Sequence, residues 1–414
     1  MHLRLPGDKS VSHRALILAA LADGTSRLAN LSPGADVDST RRCLEQCGIT
    51  IRTEGEKVVV EGRGGDFQTP DGDLNAGNSG TTARLLAGLL AGQGIHARLT
   101  GDASLSHRPM RRVAEPLQQM GASVQLSPEG TLPLELRPAR LRPLTYTLPV
   151  ASAQVKSALL LAALTGDVPI TIIEPAPTRN HTELMLQALG VDIQISGNRI
   201  SLGPGKRVIP PFDLEVPGDP SSASFPAALA ILLPDTELTF DNLLLNPTRV
   251  GFFHTLQRMG AGITWAGKRR ALGEEAGSLT VQSASLKGIE ISGAEIPALI
   301  DELPILAVLA SQAKGTTVVR DAGELRVKES DRIRAVCENL GRMGGRIEEL
   351  PDGFRIQGPA PLRAAAITTY GDHRIAMAFA VAGCVADGTT TLDNPDCVEI
   401  SLPGFYDLIL QVLS

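Results

Sequence analysis

An internal repeat constrains the fold of this chain more than any other feature of its sequence. Ala- and Leu-rich helical segments follow Gly-, Ser-, Asn- or Asp-rich turns six times, with most of their closing residues about 70 positions apart. The segments run over 10–24, 78–94, 152–166, 221–234, 301–315 and 372–388. A β-rich stretch such as VPITIIEP or GTTVVRDA follows most of them. The sequence therefore predicts six copies of one unit of about 69 residues.

A second helix ending marks each copy. The pattern Leu-x-x-apolar-Gly is typical of a helix with a glycine just beyond its end. It closes at Gly48, Gly121, Gly190, Gly260 and Gly344. Strand-like alternation follows each glycine, so the unit is predicted as strand, helix, strand, helix, strand, strand, an α/β arrangement with right-handed crossovers. The sixth copy stops at Ser414, and we expect the N-terminal strand 1–5 to complete it.

Two similar turns divide the six copies into halves. VPGDPSSAS at Val216 resembles LPGDKSVSH at Leu5. This pairing predicts one domain of residues 9–216 with copies one to three, and another of 1–8 and 217–414 with the terminal strand and copies four to six. Crossing strands near 7–9 and 215–219 would form a hinge, with a ligand cleft between the halves. A solenoid is the alternative, but the polar residues at the helix starts differ between copies in ways that packing does not require.

Composition excludes several classes of function. The net charge of −6 and 3% aromatic residues give neither a basic surface for nucleic acid or anionic membranes nor many rings for stacking on bases. The N-terminus MHLRLPGD has no apolar signal core, and no apolar run is long enough to span a bilayer. Five cysteines without a C-x-x-C pair are interpreted as reduced core residues. We therefore expect a cytoplasmic protein with no nucleic-acid or membrane partner.

Polar residues cluster at the helix starts, where free backbone N–H groups favour an anion. In the first half they come from KSVSHR, the glycine-rich turn NAGNSGTT, HRPM, SAQ and TRN. In the second half they come from IDELP, RVKESDR and GDHR. Taken singly, RVKESDR is typical of a solvated helix face and Asp301 of an N-cap. No cluster of carboxylates and histidines predicts a metal site.

Together these motifs point to one family. GDKSVSHRA, GNSGTTARLL, HRPM, SAQVKSALLLAAL, DELPILAVLA, RVKESDR and GDHRIAMA, in this order, closely resemble the EPSP synthase (3-phosphoshikimate 1-carboxyvinyltransferase) family over essentially the whole chain. The resemblance implies transfer of the enolpyruvyl group of phosphoenolpyruvate to the 5-hydroxyl of shikimate 3-phosphate, on the route to chorismate and the aromatic amino acids. It also implies a two-domain inside-out α/β barrel of six βαβαββ repeats, no metal or cofactor, and two small-molecule substrates. We expect a monomer.

The resemblance also implies roles for individual residues. Shikimate 3-phosphate would be bound by Lys9, Ser10, Arg14, Ser152, Ala153, Gln154, Arg179, Asp301 and Lys328. Phosphoenolpyruvate would be bound by Lys9, Asn78, Gly80, Thr81, Arg108, Gln154, Arg332 and Arg374. The catalytic set would be Lys9, Asp301, Lys328 and Glu329, with Glu329 transferring the proton at C3 and Asp301 accepting the hydroxyl proton. The two carboxylates could exchange these duties, and Lys9 is a rival acid. Gly80 implies inhibition by glyphosate.

Three departures from the family accompany these matches. Arg179 and its neighbours stand where some members have an aromatic residue, a lysine near Ser401 is missing, and Glu324 replaces an asparagine. UDP-N-acetylglucosamine enolpyruvyl transferase is a rival, but it has an asparagine after its first lysine and a cysteine on the loop that here reads GDASLSHRPM. RNA terminal phosphate cyclase would need a basic face, and an NTPase would need GxxxxGK[ST]. A non-catalytic anion-binding protein would have no use for the Asp301 and Glu329 pair.

Overall fold

A computed structural model describes residues 1–205 and 208–414. The α-helices in this part of the chain are α1 (Lys9–Leu21), α2 (Ala35–Gln46), α3 (Gly80–Gln93), α4 (Arg111–Gln119), α5 (Ala153–Thr165), α6 (His181–Ala188), α7 (Pro220–Leu232), α8 (Gly251–Arg258), α9 (Leu303–Gln312), α10 (Arg332–Arg342), α11 (His373–Cys384) and α12 (Phe405–Leu413).

The strands in the described residues alternate with these helices. They are β1 (His2–Arg4), β2 (Asp23–Ala29), β3 (Thr50–Glu54), β4 (Lys57–Arg63), β5 (Leu74–Asn75), β6 (Ala97–Thr100), β7 (Ser123–Gln125), β8 (Leu134–Arg137), β9 (Leu144–Thr147), β10 (Ile170–Ile173), β11 (Ile193–Ser196), β12 (Arg199–Leu202), β13 (Asp213–Glu215), β14 (Glu237–Leu244), β15 (Gly262–Ala271), β16 (Glu274–Gln282), β17 (Glu290–Ile291), β18 (Gly315–Val319), β19 (Arg346–Leu350), β20 (Gly353–Gly358), β21 (Ala366–Ile367) and β22 (Thr391–Leu392).

Each of the first five copies contributes to one four-stranded sheet, as in the order β5-β6-β8-β7. In this sheet β5 and β6 run parallel and are connected by α3. An antiparallel hairpin extends the pair, since β8 runs antiparallel to both β6 and β7. The sixth copy has only the parallel pair β21 and β22 in the described structure. The predicted α/β class built from a repeated unit is confirmed.

The first strands of the two halves are exchanged between sheets. β1 leads into α1 but runs parallel to β14 in the sheet of copy four, with His2 opposite Thr239. β13 leads into α7 but pairs with β2 in the sheet of copy one. The prediction that residues 1–5 complete the last copy was therefore wrong. Leu3 and Leu5 are buried in the same core as α7, and this burial holds β1 on the edge of β14.

The chain forms two compact units. The N-terminal unit consists of Gly7–Val216 and Arg270–Glu274, and the C-terminal unit of Met1–Pro6, Pro217–Arg269 and Glu275–Ser414. The second segment of the N-terminal unit is the tip of the β15–β16 hairpin, which the sequence did not lead us to expect there. The core of the C-terminal unit is largely aliphatic.

Helix boundaries follow local chemistry. The side chains of Asp8, Ser79, Ser152, Asp219, Asp331 and Asp372 cap α1, α3, α5, α7, α10 and α11 by accepting a hydrogen bond from a backbone N–H of the first turn. The five glycines of the Leu-x-x-apolar-Gly pattern have φ between 80° and 101°, which confirms that pattern. Three predicted ends were wrong: α1 stops at Leu21 and α9 at Gln312, since Gly24 lies in β2 and Gly315 in β18, and α11 stops at Cys384.

Two further predictions concern the environment of the chain. No helix in the described residues is long and apolar enough to cross a membrane. All five cysteines are free, and Cys43, Cys47 and Cys397 are buried as expected. Cys384, at the end of α11, is exposed and is not a core residue.

Candidate active site

In the N-terminal unit, Lys9 lies in the first turn of α1. Its Nζ donates to Oδ2 of Asp36 over 2.9 Å, and 22% of the Lys9 side chain is exposed. Asp36 comes from the first turn of α2, where a carboxylate favours the helix dipole. The ion pair fixes the direction of a partly exposed ammonium group, so Lys9 is held ready for an anion.

Arg14, one turn further along α1, is almost completely buried. Its Nε donates to Thr182 Oγ1 at a distance of 2.7 Å, and its Nη2 donates to Ser157 Oγ at 2.7 Å. Its Nη1 donates to the backbone oxygen of Ser10 at 2.9 Å. Burial lowers the pKa of Arg14 to about 10, with Glu183 opposing this most strongly. Arg14 therefore remains a cation at neutral pH, and its contacts link copies one and three.

Gln154, in the first turn of α5, links copies two and three. Its Oε1 accepts from Arg84 Nη1 over 2.6 Å, and its Nε2 donates to Thr81 Oγ1 over 3.0 Å. Gly80 lies beside this network, since a Cβ built there would be 2.8 Å from Arg84 Nη1 and 3.6 Å from Arg108 Nη1. The absence of a side chain at Gly80 thus leaves the guanidinium groups in place.

Arg108 lies over the glycine-rich turn. Its Nη2 donates to Asn78 Oδ1 over 2.7 Å and to Ser104 Oγ over 3.2 Å. Nδ2 of Asn78 donates in turn to Asp102 Oδ2 over 2.7 Å. Three residues of one predicted set, Asn78, Gly80 and Arg108, are therefore neighbours.

A chain of hydroxyl groups lies beneath the starts of α1, α2 and α3. Thr82 Oγ1 contacts Ser79 Oγ over 2.8 Å and Thr40 Oγ1 over 2.7 Å, and Thr40 Oγ1 contacts His13 Nδ1 over 2.7 Å. Burial lowers the pKa of His13 to about 3, so its ring is neutral at pH 7. These buried hydrogen bonds fix the three helix starts relative to one another.

In the C-terminal unit, Asp301 lies on a 3-10 turn, Ile300–Glu302, just before α9. Its Oδ1 is 3.4 Å from Lys328 Nζ and 3.3 Å from Arg332 Nη1. The Lys328 side chain is 29% exposed, whereas Arg332 is 2% exposed. Asp301 therefore joins a fixed cation to a solvent-accessible one, and it is not the N-cap of α9.

Arg332, the first residue of α10, holds three carboxylates. Its Nη2 is 2.6 Å from Glu329 Oε2, its Nε is 2.8 Å from Asp372 Oδ2, and its Nη1 reaches Asp301. Burial alone would lower the pKa of Arg332, but Asp372, Glu329 and Asp301 raise it above its ordinary value. The two carboxylates assigned to proton transfer, Asp301 and Glu329, are thus oriented by one guanidinium.

Arg374 lies in the first turn of α11. Its Nη1 is 3.6 Å from Glu302 Oε1, and its backbone N–H donates to Asp372 Oδ1 over 2.9 Å. Ser221 donates to Glu302 and accepts from Arg249 Nη2 over 3.1 Å, and the same Nη2 is 2.8 Å from Asp219 Oδ1. Nη1 of Arg374 also donates to the backbone oxygen of Asp301 at 3.5 Å, so Arg374 lies in the group around Asp301.

The predicted residues thus fall into two groups. The N-terminal unit holds Lys9, Ser10, Arg14, Asn78, Gly80, Thr81, Arg108, Ser152, Ala153, Gln154 and Arg179, and the C-terminal unit holds Asp301, Lys328, Glu329, Arg332 and Arg374. Among the described residues, no group of three or more His, Cys, Asp or Glu side chains could hold a metal ion.

Sequence reasoning missed several polar residues of these networks. They are Asp36, Thr40, Thr82, Arg84, Ser157, Thr182, Arg249, Glu302 and Asp372 as a ligand of Arg332. Glu302 and Asp372 lie in the motifs IDELP and GDHR at helix starts, but the sequence analysis assigns them no role at the site. Arg84 lies inside an ordinary helical pattern, and nothing local distinguishes it from a solvated arginine.

Comparisons with known proteins show what the whole chain is similar to. A family model described as EPSP synthase (3-phosphoshikimate 1-carboxyvinyltransferase) matches residues 1–409. The 3-phosphoshikimate 1-carboxyvinyltransferase of Salinibacter ruber is 48% identical over 415 residues, which cover 99% of this chain and 96% of the relative. That of Geobacillus kaustophilus is 47% identical over 408 residues, covering 98% and 95%. The solved EPSP synthase of Acinetobacter baumannii has a TM-score of 0.88 and 39% identity, covering 100% of this chain and 95% of that one.

Proposed function

Because the chain belongs to the EPSP synthase family, we propose that it transfers the enolpyruvyl group of phosphoenolpyruvate to the 5-hydroxyl of shikimate 3-phosphate and releases phosphate. The reaction belongs to the route to chorismate and the aromatic amino acids. The observation that carries the proposal is the meeting of Asp301, Glu329 and Lys328 around the buried guanidinium of Arg332. An anion-binding protein without catalysis would not need two oriented carboxylates beside a partly exposed lysine.

The charge of the site suits these substrates. Together they carry two phosphates and two carboxylates, and charge-assisted hydrogen bonds to them contribute about 1.5–3 kcal/mol each. We assign shikimate 3-phosphate to the residues around Lys9 and Arg14, with Asp301 and Lys328 at its hydroxyl. We assign phosphoenolpyruvate to Lys9, to the residues around Gly80, and to Arg332 and Arg374.

The chemistry requires three proton transfers. The 5-hydroxyl oxygen bonds to C2 of phosphoenolpyruvate while its proton is lost and C3 gains one; the tetrahedral intermediate then loses phosphate and a C3 proton. Asp301 accepts the hydroxyl proton, and Glu329 transfers the proton at C3. The two carboxylates share Arg332, so the reverse assignment is also compatible with their geometry, and Lys9 is a rival acid. Lys9 and the arginines stabilise the departing phosphate.

One assay tests the proposal directly. The full chain is incubated with phosphoenolpyruvate and shikimate 3-phosphate, and released phosphate is measured, with UDP-N-acetylglucosamine as the control acceptor. We expect turnover with shikimate 3-phosphate and none with the nucleotide sugar, because the GDASLSHRPM loop has no cysteine. Turnover with the nucleotide sugar alone would assign the chain to the rival activity, and phosphate release with neither would refute catalysis.

Glyphosate is expected to inhibit the reaction through the space beside Gly80. Gly80→Ala should raise the inhibition constant of glyphosate at least tenfold, which is a loss of about 1.4 kcal/mol of binding free energy. The added Cβ would lie only 2.8 Å from Arg84 Nη1 and would displace this guanidinium. The inhibition constant and the KM for phosphoenolpyruvate are measured for both proteins. Gly341→Ala is the matched control, since its Cβ would meet nothing within 4 Å. Equal inhibition of wild type and Gly80→Ala would argue against this placement of the inhibitor.

We also propose that the protein acts as a monomer in the cytoplasm. The unpaired state of its five cysteines supports this compartment. Light scattering on a sizing column measures the mass in solution, and a mass of twice the chain would contradict the monomer.

A further inference from the structure

The tip of the β15–β16 hairpin packs within the N-terminal unit. The tip turns at Leu272 and Gly273, whose φ angles of 45° and 83° are those of a two-residue hairpin loop. A Cβ at Gly273 would lie 2.3 Å from the backbone oxygen of Leu184 in α6, so glycine is required for this close approach. The next residue, Glu274, is fully buried.

Glu274 contacts the first residue of α6. Its Oε1 is 2.7 Å from His181 Nδ1, and both side chains are 0% exposed. A carboxylate accepts, so Nδ1 carries the proton that it donates. Nε2 of His181 is also buried, and it has no hydrogen-bond partner within the described part of the chain. Glu274 therefore fixes both the tautomer and the orientation of the ring.

The rest of the first turn of α6 is held from other directions. Thr182 accepts from Arg14 Nε and donates to Ser157 Oγ over 2.8 Å. Glu183 Oε1 is 2.6 Å from Nζ of Lys156, which is itself 1% exposed. Three consecutive residues of α6 are thus tied to the hairpin tip, α1 and α5. No side-chain hydrogen bond caps α6 at Asn180. The start of the helix is therefore held by these three contacts instead.

The same turn adjoins the cations assigned to the acceptor. Arg179 stands two residues before His181, and its charge lowers the pKa of Arg14. Glu274 acts on Arg14 in the opposite direction and raises its pKa. The hairpin tip is therefore close enough to the Arg14 guanidinium to influence it, although the proposed reaction makes no use of Glu274.

We propose that Glu274 is a positioning residue: through His181 it fixes the first turn of α6, and with it Arg179 and the Thr182 contact of Arg14, for binding the phosphate-bearing acceptor. The inference rests on the proposed function, since the acceptor is shikimate 3-phosphate. Glu274 touches neither substrate in this scheme. Its loss should weaken binding of the acceptor more than binding of phosphoenolpyruvate, because Arg14 and Arg179 are assigned to the acceptor alone.

The test uses the full chain and three substitutions at one position. Glu274→Ala leaves His181 Nδ1 without its acceptor, and we expect the KM for shikimate 3-phosphate and its Kd by calorimetry to rise at least tenfold. The KM for phosphoenolpyruvate should change less than threefold. Glu274→Gln keeps an oxygen at the same reach and should restore both acceptor constants to within threefold of wild type. Glu274→Asp keeps the charge but retracts it by about 1.5 Å, and should behave like alanine.

The control is Glu275→Gln, which removes the neighbouring carboxylate of the same strand; that group is 40% exposed and 3.4 Å from Lys268 Nζ. Unchanged acceptor constants in Glu274→Ala, with only a lower Tm, would make the residue merely structural and overturn the proposal. Restoration by aspartate but not glutamine would also overturn it, since charge and not the His181 contact would then matter. If alanine prevents folding, the glutamine and aspartate variants decide. A wild-type chain that does not convert shikimate 3-phosphate refutes the proposed function itself, independently of these variants.

Discussion

Glu329→Gln is expected to lower kcat by about 10²–10⁴-fold, the usual contribution of a general acid or base. Glutamine preserves the volume of the side chain and can still accept from Arg332 Nη2, which is 2.6 Å from the native carboxylate. It cannot exchange a proton with C3. The KM values should change little, because Glu329 is not among the residues assigned to bind either substrate. Phosphate release under saturating substrates measures the effect.

The matched control for this prediction is Glu338→Gln in α10. Glu338 also pairs with an arginine, Arg334, over 2.6 Å, but with an exposed one. The kcat of the Glu338→Gln variant should stay within twofold of wild type. A kcat of Glu329→Gln within tenfold of wild type would remove Glu329 from the proton-transfer steps and leave them to Asp301 and Lys9.

Arg332→Met is expected to destabilise the C-terminal unit by about 3–5 kcal/mol, the cost of leaving buried charge without its partner. Asp301, Glu329 and Asp372 would lose the cation they share. Urea unfolding followed by the fluorescence of Trp265, the single tryptophan and a residue of this unit, measures the loss. Adding Asp372→Asn should recover part of it, since the asparagine can still cap α11 and carries no charge.

An exposed ion pair supplies the comparison for Arg332. Arg355 and Glu348 are 2.6 Å apart with side chains 44% and 58% exposed, so Arg355→Met should cost under about 1 kcal/mol. Equal stability losses for Arg332→Met and Arg355→Met would contradict the central role of the buried guanidinium.

The loss in Arg332→Met should also depend on pH. Burial alone would raise the pKa of Asp372, but Arg332 holds it below the ordinary 3.8. In wild type the contribution of Asp372 is therefore complete above about pH 3.8 and is lost as the pH falls through the lowered pKa. Without Arg332, burial raises the pKa of Asp372, so its carboxyl group becomes protonated at a higher pH. The stability difference between the two proteins should accordingly be largest near neutral pH and shrink toward pH 4.

The polar helix starts could be recognised in the sequence because their signals are local. At Lys9 and Arg374 a capping aspartate and a glycine lie close to the cation in the sequence, and at Asn78 the turn is rich in glycine. Free N–H groups at such a place favour an anion. The repeat then showed that these starts recur on equivalent elements, which gave the fold class. Neither inference needed a contact between distant residues.

The supporting contacts could not be inferred in this way. Arg84 donates a hydrogen bond to Gln154, which lies 70 positions further along the chain. Ser221 donates one to Glu302, which lies 81 positions further along. Such pairs join copies of the unit, and a single sequence contains no local sign of which copies are neighbours. That β1 joins the sheet of copy four and not the last copy was missed for a related reason, since a parallel edge is open to this strand in either sheet. Burial of Leu3 and Leu5 beside α7 favours the sheet of copy four.

The pairing of β1 with β14 has a consequence for synthesis on the ribosome. His2 cannot pair with Thr239 until Thr239 has been translated. At 5–20 residues per second, the ribosome adds Thr239 about 12–47 s after His2. During that interval the helices and strands that follow can begin to assemble, while the N-terminal segment stays unpaired with Leu3 and Leu5 uncovered. The element translated first is therefore incorporated late, and nascent chains released before β14 emerges would present this segment to chaperones.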